Sequence, residues 1–190
     1  MGWILASASP RRKQLFKDLV ENFDVRPAVG EERVDETLSP SEQCLVLARQ
    51  KAREVYEATD RKNYVLGSDT VVAIDEKVLG KPKDEEDAKG MLRLLSGRTH
   101  EVFTGVCMIA PSGREIASVD GTQVRFYPLT EAFIDEYVKG GSPMDKAGAY
   151  GIQDGGLVEA IVGSYSNVVG LPQELCKTML TEITSMEEEQ

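Results

Sequence analysis

The chain has 190 residues, 22 Lys and Arg against 32 Asp and Glu, and a formal net charge of −10. That length suits one domain or one two-lobed unit, able to bury roughly 70% of its unfolded surface, and a content of 41% hydrophobic and 28% charged residues belongs to an ordinary soluble globular protein. Such acidity disfavours DNA, RNA and anionic membrane surfaces as partners. No apolar run nears the roughly 20 residues of a membrane span and the first residues lack a signal-peptide pattern, so a cytoplasmic location is expected.

Trp3-Ile4-Leu5-Ala6 reads as a short buried strand. Ser9 is a good N-cap and Pro10 a good first helical residue, and Leu15, Phe16, Leu19 and Val20 then share one helical face. Phe23 to Arg26 alternates like a second strand, closed by Pro27. Val29 to Ser39 is an acidic surface loop by composition. Ser39-Pro40-Ser41-Glu42 opens a long helix to about Ala58. Tyr64-Val65-Leu66 and Val71 to Ile74 are strand-like runs that Gly67-Ser68-Asp69-Thr70 interrupts, and Asp75-Glu76-Lys77 is a turn.

Asp84 to Leu95 is helical and stops at Ser96-Gly97. Thr99 to Ala110 and Arg114 to Tyr127 form an antiparallel hairpin around Pro111-Ser112-Gly113. Thr130 caps a helix to about Val138. Residues 142–156 have no clear period, Leu157 to Val162 is a strand, and Pro172 to Ile183 is the last helix. The domain is taken as 1–184, with an acidic tail at 185–190 that frays. Strands interleaved with helices, plus one long hairpin, predict an α/β fold with a mixed β-sheet.

Cys44, Cys107 and Cys176 are widely spaced in apolar surroundings and read as reduced, buried thiols. A lone His100 builds no zinc site with scattered cysteines, and any Ser-His-Asp triad would have to run through it.

Chemistry concentrates at four places. The turn Ser7-Ala8-Ser9-Pro10-Arg11-Arg12-Lys13 puts hydroxyls and three cations at a helix N-terminus, a receptor for phosphate. The alternative is a capped helix with a solvated basic first turn, although cations there oppose the helix dipole. Asp69, between two apolar runs, is costly to bury unless paired or metal-bound, and it could hold a divalent cation, orient a water or take a proton. A polar turn or bulge between two strands explains the local pattern equally well. Lys51, Lys81, Glu31 and Glu32 taken singly are ordinary solvated charges. In Pro143 to Gln153, small residues permit close approach, and the Gln153 amide could read a base edge, although a structural loop explains the glycines equally well.

These segments resemble one family when taken together and in order. Ile4-Leu5-Ala6-Ser7-Ala8-Ser9-Pro10-Arg11-Arg12, Gln50-Lys51-Ala52, Gly67-Ser68-Asp69-Thr70, Gly80-Lys81-Pro82, Leu95-Ser96-Gly97-Arg98, Phe103-Thr104-Gly105-Val106, Met144 to Gln153 and Val169-Gly170-Leu171-Pro172 resemble the Maf family of nucleoside triphosphate pyrophosphatases, from about Ile4 to Leu180. The resemblance implies cleavage between the α and β phosphates to give a monophosphate and pyrophosphate. It implies a divalent cation (magnesium, with manganese as the substitute), a two-lobed inosine-triphosphate-pyrophosphatase-like fold with a cleft between the lobes, and a homodimer.

By position it implies Asp69 as proton acceptor and metal ligand. Ser7, Arg11, Arg12, Lys51 and Lys81 are implied on the phosphate side, and Glu32, or its neighbour Glu31, at the metal. Arg11, Thr70 and Gln153 resemble the members acting on dTTP and UTP. Two alternatives accompany this reading: a non-catalytic nucleotide-binding regulator of cell division, and a hydrolase of modified pyrimidine triphosphates.

Overall fold

The structure is a computed structural model and describes residues 1–188. A seven-stranded mixed sheet runs in the order β2-β1-β3-β5-β6-β7, with β4 added to β3. The buried strand β1 (Trp3–Leu5) lies parallel to both β2 (Phe23–Val25) and β3 (Tyr64–Ile74). All other pairings are antiparallel, namely β3 with β4 (Lys77–Leu79), β3 with β5 (Thr99–Ile109), β5 with β6 (Glu115–Phe126) and β6 with β7 (Val158–Val162).

The helix starts are where local capping chemistry puts them. Ser9 Oγ accepts from Arg12 N at the head of α1 (Pro10–Lys17). Ser39 and Glu42 close a reciprocal capping box on α2 (Pro40–Glu57), Asp84 caps α3 (Glu85–Leu95), and Thr130 caps α4 (Glu131–Lys139). Three 3₁₀ turns occupy 142–154. A five-residue helix, α5 (Tyr165–Val169), precedes α6 (Gln173–Glu188) and was not expected; it is too short to carry a helical period.

The long strands serve three cores, two in one lobe and one in the other. On one face, Leu5, Leu66, Val106 and Met108 pack against Phe16 of α1 and Cys176, Met179 and Ile183 of α6; on the other, Ile4, Val65 and Cys107 meet Ala48, Ala52 and Val55 of α2. The far halves of the strands supply Val72, Ile74, Val102 and Val124 to a separate core with Leu92 and Leu95 of α3 and Ile134 and Val138 of α4. These are the two lobes, and β3 passes from one to the other.

Two expectations need correcting. The strand does not break at Gly67-Ser68-Asp69-Thr70: β3 is one ladder, in unbroken register with β5 from Val65 to Ala73. Gly67 serves packing rather than turning. A Cβ there would sit 2.5 Å from the Ala48 carbonyl oxygen and 2.6 Å from Ala52 N, and one at Gly105 would sit 2.6 Å from the Cys44 carbonyl oxygen. Both glycines let the α2 backbone lie directly on the sheet. The acidic tail, expected to fray from Ser185, is helical as far as Glu188, because Arg114 donates to the Met186 carbonyl oxygen and Ser112 to Glu187. Residues 189 and 190 lie outside the described part. All three cysteines are free and buried, and burial pushes each thiol up to about 12. No helix among the described residues is long and apolar enough to cross a membrane.

Candidate active site

β3 is bare along one edge at its midpoint. β1 pairs with it through Leu66, β4 from Val72 onward, and among the described residues no strand covers that side between them. Side chains on opposite faces of β3 therefore reach one cavity of about 890 Å³. Alternation sends Val65, Gly67 and Asp69 toward α2, and Leu66, Ser68 and Thr70 toward α1 and α5.

On the α2 face, Lys51 Nζ lies 2.5 Å from Asp69 Oδ1 and 2.9 Å from Glu32 Oε1. The Lys51 and Asp69 side chains are only 16% and 12% exposed, so this pair is shielded where a surface pair would not be. Burial works to raise the Glu32 carboxyl, but the Lys51 hydrogen bond and the charges of Lys51, Lys81 and Arg12 outweigh it and hold the group below its ordinary value. Two other α2 residues fasten the loop that carries Glu32. Gln50 takes both backbone groups of Arg33, and Glu54 accepts from Val29 N at 2.7 Å and Gly30 N at 3.0 Å. Glu31 pairs with Arg33 instead and does not line the cavity, so of the two neighbouring glutamates it is Glu32 that reaches it.

On the other face, Arg12 donates from Nε to the Gly170 carbonyl oxygen at 2.8 Å and from Nη2 to Thr70 Oγ1 at 3.0 Å. Thr104 Oγ1 gives its proton to the Asn167 carbonyl oxygen at 2.9 Å, so across the 2.9 Å Thr70–Thr104 contact it must accept. The Thr70 proton is thereby committed, and its hydroxyl offers a ligand only an acceptor lone pair. Burial lowers the Arg12 pKa, with Asp69 and Glu32 acting against that; the guanidinium stays charged.

The remaining walls come from loops. Lys81 reaches the cavity from a turn anchored by Gly148 N donating to the Gly80 carbonyl oxygen at 3.1 Å. Arg11, Asp145, Lys146 and Gln153 line it as well. Of the expected residues, the fold brings Arg11, Arg12, Glu32, Lys51, Asp69, Thr70, Lys81 and Gln153 to this single cavity. Ser7 is not among the lining residues; its hydroxyl accepts from Ser9 N at 3.2 Å, and Ser9 is the serine on the wall. Sequence reasoning gave no role to Glu36, Glu76, Lys77, Asp145 or Lys146, which also line the cavity. Gly170 sat inside a quoted segment, and that was the signal available for it. His100 takes no part: it is 2% exposed, with Nε2 at 2.8 Å from the Tyr150 hydroxyl and its ring against Phe126.

Glu32 and Asp69 present hard oxygen donors converging on the point that Lys51 Nζ holds, which is donor chemistry suited to magnesium or manganese. Among the described residues no group of three or more His, Cys, Asp or Glu is placed to hold a metal ion. A cation here would need phosphate oxygens and water to complete its shell, which is magnesium's usual habit.

Two solved structures share this architecture over nearly the whole chain. They are the Ham1 protein of Staphylococcus aureus (TM-score 0.55, 15% identity, 96% of this chain and 99% of that one) and a HAM1 protein from Coxiella burnetii (TM-score 0.55, 16% identity, 96% and 99%). The fold is thus of the Ham1 class, an α/β sheet with flanking helices and a cleft between lobes. Residues 2–183 match the family described as Maf-like protein, and the chain belongs to the Maf family. It is 51% identical over 174 residues to a dTTP/UTP pyrophosphatase of Thermococcus gammatolerans (90% of this chain, 91% of that one), and 50% identical over 171 residues to one of Carboxydothermus hydrogenoformans (88% and 91%).

Proposed function

We propose that this protein hydrolyses dTTP and UTP at the α–β phosphoanhydride, consuming one water and releasing the nucleoside monophosphate and pyrophosphate. The observation that carries the reading is the convergence of Asp69, Lys51 and Glu32 at the bare edge of β3, in a cavity also lined by Arg11, Arg12 and Lys81. Relatives at about half identity carry the name dTTP/UTP pyrophosphatase, which supports the same substrates.

A triphosphate brings about four negative charges, so the residues act mainly by electrostatics. Arg11, Arg12, Lys51 and Lys81 bind the phosphate oxygens on which charge builds. Lys51 holds Asp69 Oδ1, and Oδ2 takes the proton of the attacking water. Glu32 and Asp69 would hold the divalent cation, which would neutralise phosphate charge and make water more acidic. The Gln153 amide pairs with the pyrimidine's carbonyl and N–H edge beside Thr70. Magnesium, or manganese in its place, a homodimer and a cytoplasmic location belong to the same proposal. The edge strand β7, with exposed Ile161 and Val162, supports the dimer, and three free buried thiols support a reducing compartment.

The test is pyrophosphate release from a panel of ordinary and modified triphosphates with magnesium, with wild-type protein and Asp69→Asn. Wild-type turnover of dTTP and UTP, abolished by a chelator and reduced about a hundredfold or more by the substitution without loss of fold, is expected. A blank panel with the wild-type protein sinks the reading, and near wild-type turnover by Asp69→Asn removes Asp69 from the chemistry.

A further inference from the structure

Gln153 reaches the cavity on the short turn from Gly151 to Asp154, closed by Asp154 N donating to the Gly151 carbonyl oxygen at 3.0 Å. A side chain from another element holds both ends of that turn. Tyr137, on α4, donates its hydroxyl to Asp154 Oδ2 at 2.6 Å and accepts from Gly151 N at 3.1 Å. Ser142 Oγ donates to the same carboxylate oxygen at 2.7 Å, and Lys146 Nζ donates to Ser142 Oγ at 3.0 Å and to Asp145 Oδ1 at 2.8 Å. Asp145 Oδ2 lies 3.4 Å from Arg11 Nη1, a long and exposed contact and the weakest in the series. One run of polar contacts therefore joins Tyr137 to both Gln153's turn and Arg11.

The hydroxyl is not needed to seat the ring. Tyr137 stacks on Phe133 with centroids 6.1 Å apart and 7° between planes, a contact a phenylalanine would keep. Burial and the Asp154 charge raise the Tyr137 pKa, so the phenol stays a neutral donor at any physiological pH. Room has been left for the clamp at Gly151, where a Cβ would lie 2.9 Å from both Asp154 Oδ2 and Lys146 Cε.

We propose that Tyr137 is a positioning residue for base recognition: through Asp154 and Gly151 it fixes the turn that presents the Gln153 amide to the pyrimidine. This rests on the reading of Gln153 as the residue that pairs with the base. A turn ordered in advance spares the ligand the entropy of ordering it, so the clamp acts on binding and on discrimination between bases. Lys51, Asp69 and Arg12 are held by other partners, and Arg11 meets the run through its long, exposed contact with Asp145, so the reacting centre keeps its geometry without the Tyr137 hydroxyl.

The experiment compares kcat and KM for dTTP, UTP, dCTP and dGTP in wild-type protein, Tyr137→Phe, Ser142→Ala and Gln153→Ala, with thermal unfolding of each. Tyr137→Phe is expected to raise KM for dTTP and UTP about fivefold to tenfold, to leave kcat within about twofold, and to narrow the preference over dCTP by the same factor. Ser142→Ala, on a half-buried turn, should move the preference in the same direction by less, and it carries the test if Tyr137→Phe does not fold. If Gln153→Ala changes the preference while Tyr137→Phe and Ser142→Ala shift only the unfolding temperature, the clamp is merely structural and the proposal is overturned. If Gln153→Ala leaves the preference unchanged, the base-reading role fails and the proposal fails with it.

Discussion

Lys51 Nζ sits between two carboxylates, 2.5 Å from Asp69 on β3 and 2.9 Å from Glu32 on the preceding loop. An ammonium there occupies the point at which a divalent cation would meet both acids. Replacing it with an isosteric apolar chain separates two roles, competition with the cation and binding of phosphate. Lys51→Met should bind manganese at least as tightly as the wild-type protein in calorimetric titration without nucleotide, since nothing then competes for the carboxylates. Turnover should fall about a hundredfold. Weaker manganese binding by the variant would mean that Lys51 holds the carboxylates in place rather than competing for them.

The contact between α2 and the sheet sets the Lys51–Asp69 distance, and two glycines set that contact. Gly67→Ala drives a methyl into the Ala48 and Ala52 backbone, and Gly105→Ala into that of Cys44. Each should cost about 1–3 kcal/mol or more in urea unfolding. Each should also lower kcat, because α2 must lift and carry Lys51 away from Asp69. A variant that loses stability with unchanged kcat would show that the lysine follows the strand despite the displaced helix.

Arg12→Lys keeps the charge and loses the geometry. A single ammonium does not reach both the Gly170 carbonyl oxygen and the Thr70 hydroxyl along the lines the guanidinium uses. KM for dTTP should rise about tenfold, with a stability loss of about 1 kcal/mol from the lost hydrogen bonds, since the Gly170 carbonyl oxygen keeps the Ser68 hydroxyl as a donor. Steady-state kinetics and urea unfolding of the same preparation check both.

The single histidine gives the pH dependence of stability a clean window. Burial depresses the His100 imidazole from 6.5 to about 4, so the folded protein keeps it neutral while the unfolded chain takes up a proton below 6.5. Its contribution is complete above 6.5 and is lost as pH falls toward 4, at no more than about 1.4 kcal/mol per pH unit. The carboxylates held low in the fold, Glu32, Asp145 and Asp154 among them, contribute above their ordinary values of 4.5 for Glu and 3.8 for Asp and lose stability only below those, outside this window. Urea unfolding between pH 6.5 and 5 should therefore slope for the wild-type protein and be nearly flat for His100→Phe, whatever the variant's absolute stability. Equal slopes would place the titrating group elsewhere.

Much of the fold was legible because its signals are local. Ser9, Ser39 and Thr130 cap helices through their own backbone neighbourhoods, and Pro111-Ser112-Gly113 turns a hairpin between two long alternating runs. The break expected at Gly67 was misplaced for the opposite reason. Glycine weakens a strand locally, yet here it admits a helix from 15 and more residues earlier in the chain, and no local pattern reports that contact. The same holds for the site. Asp69, Lys51 and Lys81 follow from ordered segments, but the serine expected there was Ser7 whereas Ser9 lines the cavity; Asp145 and Lys146 sat in the segment Met144 to Gln153 without a role, and Tyr137 had no signal because its partners, Gly151 and Asp154, lie on another element.

By itself the sequence determined the fold class, the family and most of the expected residues that line the cavity, because those follow from capping, period and ordered segments. It also held the one apparent contradiction, an excess of acid in a chain built to hold an anion. Only the tertiary structure resolved that. A bare stretch of one strand lets both sheet faces open into a single cavity, where six cations, Arg11, Arg12, Lys51, Lys77, Lys81 and Lys146, meet only five of the chain's 32 carboxylates, Glu32, Glu36, Asp69, Glu76 and Asp145. Net charge sums over the chain, whereas a ligand meets only the few charges that folding brings within a Debye length of it.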